Sequence, residues 1–339
     1  MLIVDDSAIM RKLISDILQK QPDLEVIGQA VNGKEAIEKA KNLKPDVITL
    51  DIEMPEMDGL SALKVLRKEV PSSKVIMFSS LTQEGAKATI EALSLGAYDF
   101  VPKPSTKSFL ESVKKIENDL VPKIKGILSA TEAKPLRILT PPRLLKPGLY
   151  RVLGIGVSTG GPQTLMEIFK GIPKNFPSPI LVVQHMPPLF TKQLADRLDK
   201  ISPLQVKEAE DGEEVKEGMV YIAPGDYHME VVKENTRKFI RLHQGAPVNN
   251  CRPAVDVLFN SLAEVYNGSA LTLILTGMGR DGAEGAKRVK LKGGGVLAQD
   301  AQTSVVFGMP RAVIEAGLAD EVLSLQEIPK RLRELFRCY

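Results

Sequence analysis

Three carboxylates in the N-terminal third directly follow hydrophobic runs that are typical of β-strands. Asp5 and Asp6 follow the run Leu2–Val4. Asp51 follows the run Val47–Leu50. Because the carboxyl ends of parallel strands meet at one edge of a sheet, we expect the three side chains to lie close together. Adjacent carboxylates repel one another unless a cation lies among them, and a hard divalent ion such as Mg²⁺ suits this ligand set.

A hydroxyl and an ammonium group are predicted to join this cluster. Ser79 follows the predicted strand Val75–Phe78, and Lys103 follows the predicted strand at residues 97–101. Both groups suit an acyl phosphate formed on Asp51, because the cation and Lys103 would neutralise the phosphoryl oxygens while Asp51 acts as the nucleophile. A single acidic residue at a strand end is usually a solvated loop residue. The ordered set at successive strand ends favours a phosphoryl-acceptor site instead.

A serine, a histidine and an aspartate follow three hydrophobic runs in the second half of the chain. The letters G-V-S-T-G place Ser158 on a sharp turn from a strand into a helix. His185 follows the run Ile180–Gln184. Asp281 lies in a glycine-rich segment after Leu271–Thr276. Each signal is weak alone, because a glycine-rich turn often carries no chemistry and a histidine after a strand is often a surface residue.

Together these residues supply a nucleophile, a general base and an orienting carboxylate. On neighbouring parallel strands, Ser158, His185 and Asp281 would converge at the sheet edge. The chain order Ser…His…Asp differs from the Ser…Asp…His order of the α/β-hydrolases, so this would be a separate solution to the same chemistry. The backbone N–H groups of the glycine-flanked turn at Met278 suit an oxyanion hole. The pattern therefore predicts a hydrolytic site.

The same glycine-rich segment also matches the G-x-G-x-x-G pattern of dinucleotide-binding sites. It lies between a strand and a helix, and Asp300 follows about 20 residues later, where a ribose-binding acid is expected. Asp281, however, would place a carboxylate where the pyrophosphate binds, and like charges oppose binding there. The segment also lies late in its domain, away from the first strand–helix turn. These points disfavour a nicotinamide-dependent enzyme.

Alternating strand and helix patterns must position both sets of residues, and they predict a doubly wound, mostly parallel α/β sheet in each half. In the first half the remaining predicted elements are strand Glu25–Ala30 and helices Ser7–Lys20, Gly33–Asn42, Gly59–Lys68, Gly85–Leu95 and Ser105–Asp119. In the second half they are strands Arg151–Val157, Met219–Ile222, Phe239–Leu242 and Gly295–Ala298, and helices Pro162–Lys170, Leu189–Ser202, Ala254–Tyr266 and Ala283–Lys292.

Neither periodicity continues between the two halves. Five prolines interrupt residues 120–149, which predicts an interdomain linker with one short helix at Pro122–Ser129. The expected organisation is a domain at residues 1–119, a linker at 120–149 and a second domain at 150–339. Two domains also fit the chain length of 339 residues, at roughly 150 residues per domain.

The composition excludes several classes of protein. A chain that is 43% hydrophobic and 26% charged is globular, and a net charge of +3 gives no electrostatic footprint for nucleic acid. Cys251 and Cys338 cannot build a disulfide framework, and no Cys/His spacing in the sequence resembles a zinc site. No apolar run approaches the length of about 20 residues that spans a bilayer. No signal-peptide pattern is present, so we expect a cytoplasmic protein.

Roughly residues 1–115 resemble the receiver domain of two-component signalling. The resemblance rests on the motifs Val4-Asp5-Asp6-Ser7, Asp51-Ile52-Glu53-Met54-Pro55, Met57-Asp58-Gly59 and Lys103-Pro104. It implies a flavodoxin-like doubly wound parallel sheet and phosphorylation of Asp51. It further implies Mg²⁺ bound by Asp5, Asp6, Asp51 and the backbone carbonyl of Glu53. The implied switch pair is Ser79, which moves to the phosphoryl group, and Phe100, whose ring repacks into the space that Ser79 leaves.

The chain from about Tyr150 onward resembles the catalytic domain of the chemotaxis receptor methylesterases of the CheB family. The resemblance rests on Gly156-Val157-Ser158-Thr159-Gly160-Gly161-Pro162, Gln184-His185-Met186-Pro187, Tyr221–His228 and Gly277–Gly282. It implies hydrolysis of glutamate γ-methyl esters on the cytoplasmic helices of chemoreceptors, with deamidation of glutamines there, and no cofactor for the esterase chemistry. The implied roles are nucleophile for Ser158, base for His185, orienting carboxylate for Asp281 and oxyanion donor for the Met278 N–H.

Three further features near the predicted catalytic site receive expectations of their own. His228 is expected to line the rim of the site, and His243 is expected to be structural. Residues 249–256 are expected to pack or to line the substrate.

A receiver joined to a hydrolase implies control by phosphorylation, with a chemotaxis histidine kinase as phosphodonor. The unphosphorylated receiver is expected to cover the catalytic edge. We expect a monomer that binds neither nucleic acid nor membrane. The alternative is a response regulator whose second half is a non-catalytic binding module, such as a nucleic-acid output domain. The absence of a recognition-helix pattern disfavours this alternative.

Overall fold

The computed structural model describes residues 1–104, 109–129 and 144–338. The chain divides into two compact units, Met1–Ser129 and Ala130–Tyr339. The predicted start of the fifth helix and most of the predicted linker, residues 130–143, lie outside the described residues. Within those residues, no helix combines the length and the apolar character that a membrane span requires.

The first unit is a parallel sheet flanked by helices. Its elements are β1 (Leu2–Val4), α1 (Ala8–Gln19), β2 (Gly28–Ala30), α2 (Gly33–Leu43), β3 (Val47–Asp51), α3 (Gly59–Glu69), β4 (Lys74–Ser79), α4 (Gln83–Ser94), β5 (Asp99–Pro102) and α5 (Phe109–Ser129). All pairings are parallel, in the order β2-β1-β3-β4-β5. This is the flavodoxin-like order, in which β1 and β3 flank the topological switch point. The predicted fold class is confirmed.

Side-chain caps fix where the helices of the first unit begin. The residue before each of α1 to α4 accepts a hydrogen bond from the backbone N–H three residues later, which satisfies one of the unpaired donors of the first helical turn. The caps are Ser7, Asn32, Asp58 and Thr82. Each helix therefore starts directly after the loop at the carboxyl edge of the sheet, which keeps those loops short.

Helix α5 extends beyond its predicted end. The sequence predicts a linker from residue 120, whereas α5 continues to Ser129 with Pro122 inside it. Ile124 and Ile127 are fully buried, and a spacing of three residues places them on one face of the helix. Burial of this apolar face outweighs the backbone hydrogen bond that Pro122 cannot donate.

The second unit contains a larger parallel sheet. Its elements are β6 (Val152–Val157), α6 (Gly161–Gly171), β7 (Ile180–Gln184), α7 (Phe190–Ile201), β8 (Gln205–Glu208), β9 (Met219–Ile222), β10 (His228–Glu234), β11 (Arg237–His243), α8 (Val255–Tyr266), β12 (Ala270–Ile274), α9 (Ala283–Leu291), β13 (Gly295–Gln299), α10 (Met309–Glu315), β14 (Glu321–Leu323) and α11 (Ile328–Phe336). The seven strands pair in parallel in the order β14-β13-β12-β6-β7-β9-β8. The predicted doubly wound α/β architecture is confirmed here too.

The chain leaves the centre of this sheet in two directions. From β6 it proceeds to β7 and then to β8 at the edge of the sheet, and β9 pairs between those two strands. The chain then returns to place β12 on the other side of β6. Strands β6, β7 and β12 are buried at every position, so they form the centre of the sheet. Ligands bind at the carboxyl edge of such a switch point.

One predicted strand lies outside the sheet. The segment Phe239–Leu242 belongs to β11, which pairs antiparallel with β10 as a separate hairpin. Met229, Val231 and Ile240 bury one face of this hairpin in the hydrophobic core. The sequence does not predict β8, β10, β14, α10 or α11, because short, partly exposed elements such as β8 and β14 carry too few apolar residues to set a period.

Candidate functional site

The first unit brings the three predicted carboxylates together at its switch point. Asp5 directly follows β1, and Asp51 ends β3. Both are almost completely buried, whereas Asp6 is exposed. One carboxylate oxygen from each of the three lies within 4.8 Å of the others. The sequence-predicted cluster therefore exists as a set of oxygen donors at one edge of the sheet.

Lys103 reaches this cluster from the end of β5. Its Nζ lies 2.7 Å from Asp51 Oδ2 and 3.1 Å from Asp5 Oδ2. Burial raises the pKa of Asp51 to about 6, although the hydrogen bond from Lys103 opposes the rise. Asp5 Oδ2 is buried, and its charged neighbour among the described residues is the Lys103 ammonium. Three carboxylates beside one ammonium leave excess negative charge at this edge, so these residues fit Mg²⁺.

The other predicted receiver residues have different surroundings. The Ser79 hydroxyl donates to the Gly85 carbonyl at 3.0 Å. The Phe100 ring is buried, with Lys123 Nζ 5.3 Å from its centroid. Glu53 is exposed, and its backbone hydrogen bond to Asp51 opposes the rise in the pKa of Asp51. Ser79 and Phe100 are thus both packed inside the unit, and the hydroxyl of Ser79 is bonded to the first turn of α4.

In the second unit Ser158 lies on a sharp turn between β6 and α6. Its N–H donates to the Thr276 carbonyl at 3.0 Å, and its carbonyl accepts from Gly161 N at 2.8 Å. The turn requires glycine at two positions. Gly160 has a φ of 77°, and a Cβ there would lie 2.4 Å from Val305 Cβ. A Cβ at Gly161 would lie 1.9 Å from the side-chain oxygen of Gln184.

His185 and Asp281 form a hydrogen-bonded pair beside this turn. His185 directly follows β7, and Asp281 precedes the first turn of α9, which begins after β12. His185 Nε2 lies 2.8 Å from Asp281 Oδ2. Within the described residues, no hydrogen bond joins the Ser158 hydroxyl to His185, and such bonds often form only when substrate binds. The structure therefore brings the three predicted residues to one sheet edge, with His185 and Asp281 already hydrogen-bonded to each other.

Asp281 is held by an unusually complete set of donors. Besides His185, backbone N–H groups donate to its carboxylate from Val255 at 2.6 Å, Asp256 at 3.2 Å and Gly282 at 3.0 Å. Burial raises the pKa of Asp281, but the bond from His185 and these other donors outweigh it and hold the pKa below its usual value. Asp281 is therefore an ionised, immobile acceptor.

Asn249 is a residue of the site whose contacts the sequence does not predict. Its side-chain nitrogen donates to Asp281 Oδ1 and to Asp256 Oδ2, each at 2.8 Å. Burial raises the pKa of Asp256, and Asn249 is one of the groups that oppose this rise. Asn249 and Asn250 both have positive φ, a conformation that asparagine tolerates better than most residues. This Asn-Asn pair was the available signal for a left-handed turn, but it does not indicate which side chains the turn contacts.

A thiol contacts the other nitrogen of the imidazole. Cys251 Sγ lies 3.6 Å from His185 Nδ1. Burial lowers the pKa of His185, but the hydrogen bonds to Asp281 and Cys251 outweigh burial and raise the pKa to about 9. The imidazolium form is therefore favoured at neutral pH.

The expectation for His228 is wrong. His228 is buried, its Nε2 donates to the Ala246 carbonyl at 3.0 Å, and its Nδ1 accepts from Ala254 N at 3.2 Å. It is therefore a structural residue that ties the hairpin to the loop before α8. His243 lies in the same hairpin, partly exposed, with Nε2 3.4 Å from Glu230. The sequence motif placed His228 near the site but could not show that backbone groups occupy both of its nitrogens.

The turn at Met278 has a free backbone donor. Within the described residues the Met278 N–H donates no hydrogen bond, and the Met278 side chain is exposed. Gly277 is packed against Ser158, because a Cβ at residue 277 would lie 2.9 Å from Ser158 Cβ. An unpaired N–H next to the serine turn suits the binding of an oxyanion.

Comparisons with known proteins agree with this geometry. The sequence matches the CheB methylesterase family over residues 153–332 and the response regulator receiver domain over residues 1–114. The protein-glutamate methylesterase/protein-glutamine glutaminase of Thermotoga maritima is 51% identical, over 98% of this chain and 97% of that protein. The protein of the same name from Pyrococcus abyssi is 46% identical, over 97% of this chain and 91% of its own length.

A solved structure supports the same assignment for the second unit. The Thermotoga maritima CheB methylesterase catalytic domain is 55% identical, with a TM-score of 0.54, over 55% of this chain and 98% of that chain. These matches are to a catalytic domain, so they do not support the alternative of a non-catalytic output module. The chain belongs to the CheB methylesterase family and joins its catalytic domain to a response regulator receiver domain.

Proposed function

We propose that this chain removes methyl esters from glutamate side chains of chemoreceptors and deamidates glutamine side chains there, under control of its receiver domain. The hydrogen-bonded pair of His185 and Asp281 beside the Ser158 turn carries the proposal. The printed names of the relatives, protein-glutamate methylesterase/protein-glutamine glutaminase, support the substrate class.

In the acylation step the Ser158 oxygen attacks the ester carbonyl carbon, and His185 takes the serine proton. Because Nε2 of His185 is bonded to Asp281, Nδ1 is the nitrogen that receives this proton. The Met278 N–H donates to the carbonyl oxygen as negative charge develops on it. His185 then returns the proton to the departing oxygen, and methanol leaves.

In the deacylation step His185 takes a proton from water, and the resulting hydroxide attacks the acyl carbon. The bond to Ser158 breaks and the serine recovers its proton, which leaves a glutamate side chain. With a glutamine substrate the leaving group is ammonia, and the remaining steps are identical. Asp281 stays ionised throughout and keeps Nε2 of His185 protonated.

Phosphorylation of Asp51 is the proposed control of this activity. Asp5, Asp6, Asp51 and the backbone carbonyl of Glu53 would hold Mg²⁺, which neutralises charge on the phosphoryl oxygens when it is bound. Lys103 neutralises further charge through its contact with Asp51. A chemotaxis histidine kinase is the proposed phosphodonor.

The esterase activity is tested by methanol release from methylated receptor membranes. The Ser158→Ala variant is expected to lose release by a factor on the order of 10³ or more, because the nucleophile is absent. Ser202→Ala, which changes a serine at the end of α7, is the matched control. Full methanol release by Ser158→Ala would reject the assignment.

The control by phosphorylation is tested with a small phosphodonor and Mg²⁺. Methanol release by the wild type is expected to rise on addition of both, and the Asp51→Asn variant is expected not to respond. An equal response of Asp51→Asn would show that Asp51 is not the acceptor that regulates the esterase.

A further inference from the structure

Cys251 presents a thiol to the nitrogen of His185 that Asp281 does not use. Cys251 Sγ is 3.6 Å from His185 Nδ1, and His185 Nε2 is 2.8 Å from Asp281 Oδ2. One ligand atom from each of the three residues lies within 4.8 Å of the others. Thiolate sulfur and imidazole nitrogen are ligands that Zn²⁺ binds in preference to oxygen.

The distance between Cys251 Sγ and His185 Nδ1 also fits two ligands of one metal ion. A Zn–S bond of about 2.3 Å and a Zn–N bond of about 2.0–2.1 Å at a tetrahedral angle place the two atoms about 3.6 Å apart. The distance between Cys251 Sγ and His185 Nδ1 has this value. Zinc-bound histidines almost always donate their second N–H to a carboxylate, a backbone carbonyl or water, and Asp281 is in the position of such a carboxylate.

The loop that carries Cys251 is fixed before any metal binds. Cys251 N donates to the Val248 carbonyl at 2.9 Å, and Val248 N donates to the Cys251 carbonyl at 3.1 Å. The next residue, Arg252, forms a two-pronged ion pair with Asp226 and donates to the Gly245 carbonyl. Cys251 remains partly exposed, so an ion can reach the sulfur from solvent.

We propose that Cys251 Sγ and His185 Nδ1 bind a soft divalent metal ion of the Zn²⁺ type, with water completing its coordination. On binding, the Cys251 thiol and the His185 imidazolium each release a proton to solvent, and His185 binds through the lone pair that this leaves on Nδ1. That lone pair then cannot take the proton of Ser158, so the ion inhibits the esterase. This inhibition rests on the proposed function, whereas the binding of the metal does not.

Binding is tested on the full chain with Co²⁺ as a spectroscopic substitute for Zn²⁺. The buffer contains a phosphine reductant and excess Mg²⁺, which occupies the carboxylates at Asp5 and Asp51. The wild type is expected to show a thiolate-to-cobalt charge-transfer band that Zn²⁺ abolishes. Cys338→Ala, which removes the chain's other cysteine, is expected to keep the band, and Cys251→Ala and Cys251→Ser are expected to lose it.

Inhibition is tested in parallel by methanol release. Zn²⁺ is expected to inhibit the wild type reversibly, with recovery on chelation, and Cys251→Ala is expected to need at least about tenfold more Zn²⁺ for the same fractional inhibition. A wild type without the band, or a band that persists in both Cys251 variants, would overturn the site. A Cys251-dependent band in a protein that releases no methanol would uphold the metal site and reject the proposed function instead.

Discussion

At the scale of single residues, the site is organised around one carboxylate with a full set of donors. Asp281 accepts hydrogen bonds from His185, from three backbone N–H groups and from Asn249. Asn249 also bonds to Asp256, so one amide nitrogen separates two buried carboxylates. The orientation of the imidazole therefore depends on Asn249 through Asp281.

The first prediction concerns this amide. Asn249→Ala is expected to lower kcat/KM by a factor on the order of 10 to 100, because two buried carboxylate oxygens lose a donor worth about 1–3 kcal/mol. The variant is also expected to shift the pH profile of kcat/KM. Without Asn249, the Asp281 carboxylate takes an altered position, and its hydrogen bond with His185 changes. Asn250→Ala is the matched control, because Asn250 shares the positive φ and has no described side-chain hydrogen bond. Equal kinetics and pH profiles for the two variants would exclude a positioning role for Asn249.

The second prediction concerns the pH dependence of the esterase. His185 acts as a base only when it is neutral, and its pKa in the free protein is raised to about 9. The value of kcat/KM is therefore expected to increase with pH and to level off above about pH 9. Steady-state methanol release between pH 6 and pH 10 measures this increase in kcat/KM. A plateau already reached at pH 7 would show that the base titrates near its ordinary pKa.

The same shift in pKa predicts the direction in which pH changes stability. The pKa of His185 is higher in the folded chain than the ordinary value of 6.5, so the folded state binds this proton more tightly than the unfolded state does. The stabilisation is complete below about pH 6.5 and is lost as the pH rises to about 9. Urea unfolding of wild type and His185→Gln at several pH values measures it. In His185→Gln the free energy of unfolding is expected to lack the decrease between about pH 6.5 and pH 9. The same pH dependence in the wild type and the variant would contradict the raised pKa of His185.

At the scale of elements, the turn between β6 and α6 determines where the serine lies. Gly160 has a positive φ and touches Val305, whereas Gly161 touches Gln184. Strand and helix can follow each other this closely only because neither residue has a Cβ. The two glycines therefore determine together where β6 ends, where α6 begins and where Ser158 lies.

A pair of glycine variants separates backbone strain from the clash in this turn. Gly160 and Gly212 have φ values of 77° and 76°, but no atom lies near the Cβ position of Gly212. Gly212→Ala is expected to cost about 1 kcal/mol, as a left-handed alanine does. Gly160→Ala is expected to cost about 2–4 kcal/mol and most of the esterase activity, because Val305 must also move. Equal losses in chemical denaturation would show that Val305 yields freely.

The sequence predicts the central strands of the sheets better than the edge strands β8 and β14. The buried runs before Asp51, Ser158 and His185 are continuous and apolar, so the ends of these strands can be predicted from the sequence. Hairpin β10–β11 and helix α5 depend on tertiary burial, and short-range patterns do not reveal it. The contacts of Asn249 and Cys251 were unpredictable for the same reason, because they join loops that lie far apart in the chain.

At the scale of the whole molecule, two α/β units each place their chemistry at a topological switch point. In the first unit Asp5 and Asp51 follow the adjacent strands β1 and β3. In the second unit Ser158 and Asp281 follow the adjacent strands β6 and β12. The common rule explains why fold class and site position could be predicted together, although one edge carries a cluster of carboxylates and the other a serine beside a His–Asp pair.

Mg²⁺ is expected to stabilise the first unit alone. Binding to the folded carboxylates raises its unfolding temperature by mass action, and chelation reverses the effect. Asp5→Asn is expected to remove the Mg²⁺-dependent increase, because it replaces one of the two buried carboxylates of the cluster. Glu38→Gln, an exposed acidic position on α2, is the control. Calorimetry with and without Mg²⁺ measures the unfolding temperature of each variant. If Mg²⁺ raises the unfolding temperature of Asp5→Asn as much as that of Glu38→Gln, Asp5 is not a ligand.

The pairing of β6 with β12 also has a consequence for the order of folding. These strands are neighbours in the sheet, yet β7 to β11 and α6 to α8 lie between them in the chain, so their pairing closes a long loop. Contacts of such large sequence separation form slowly. During refolding, esterase activity is therefore expected to return no earlier than the hydrogen-exchange protection of the β12 amides, because Ser158 and Asp281 come together only when that last central pair of strands has formed.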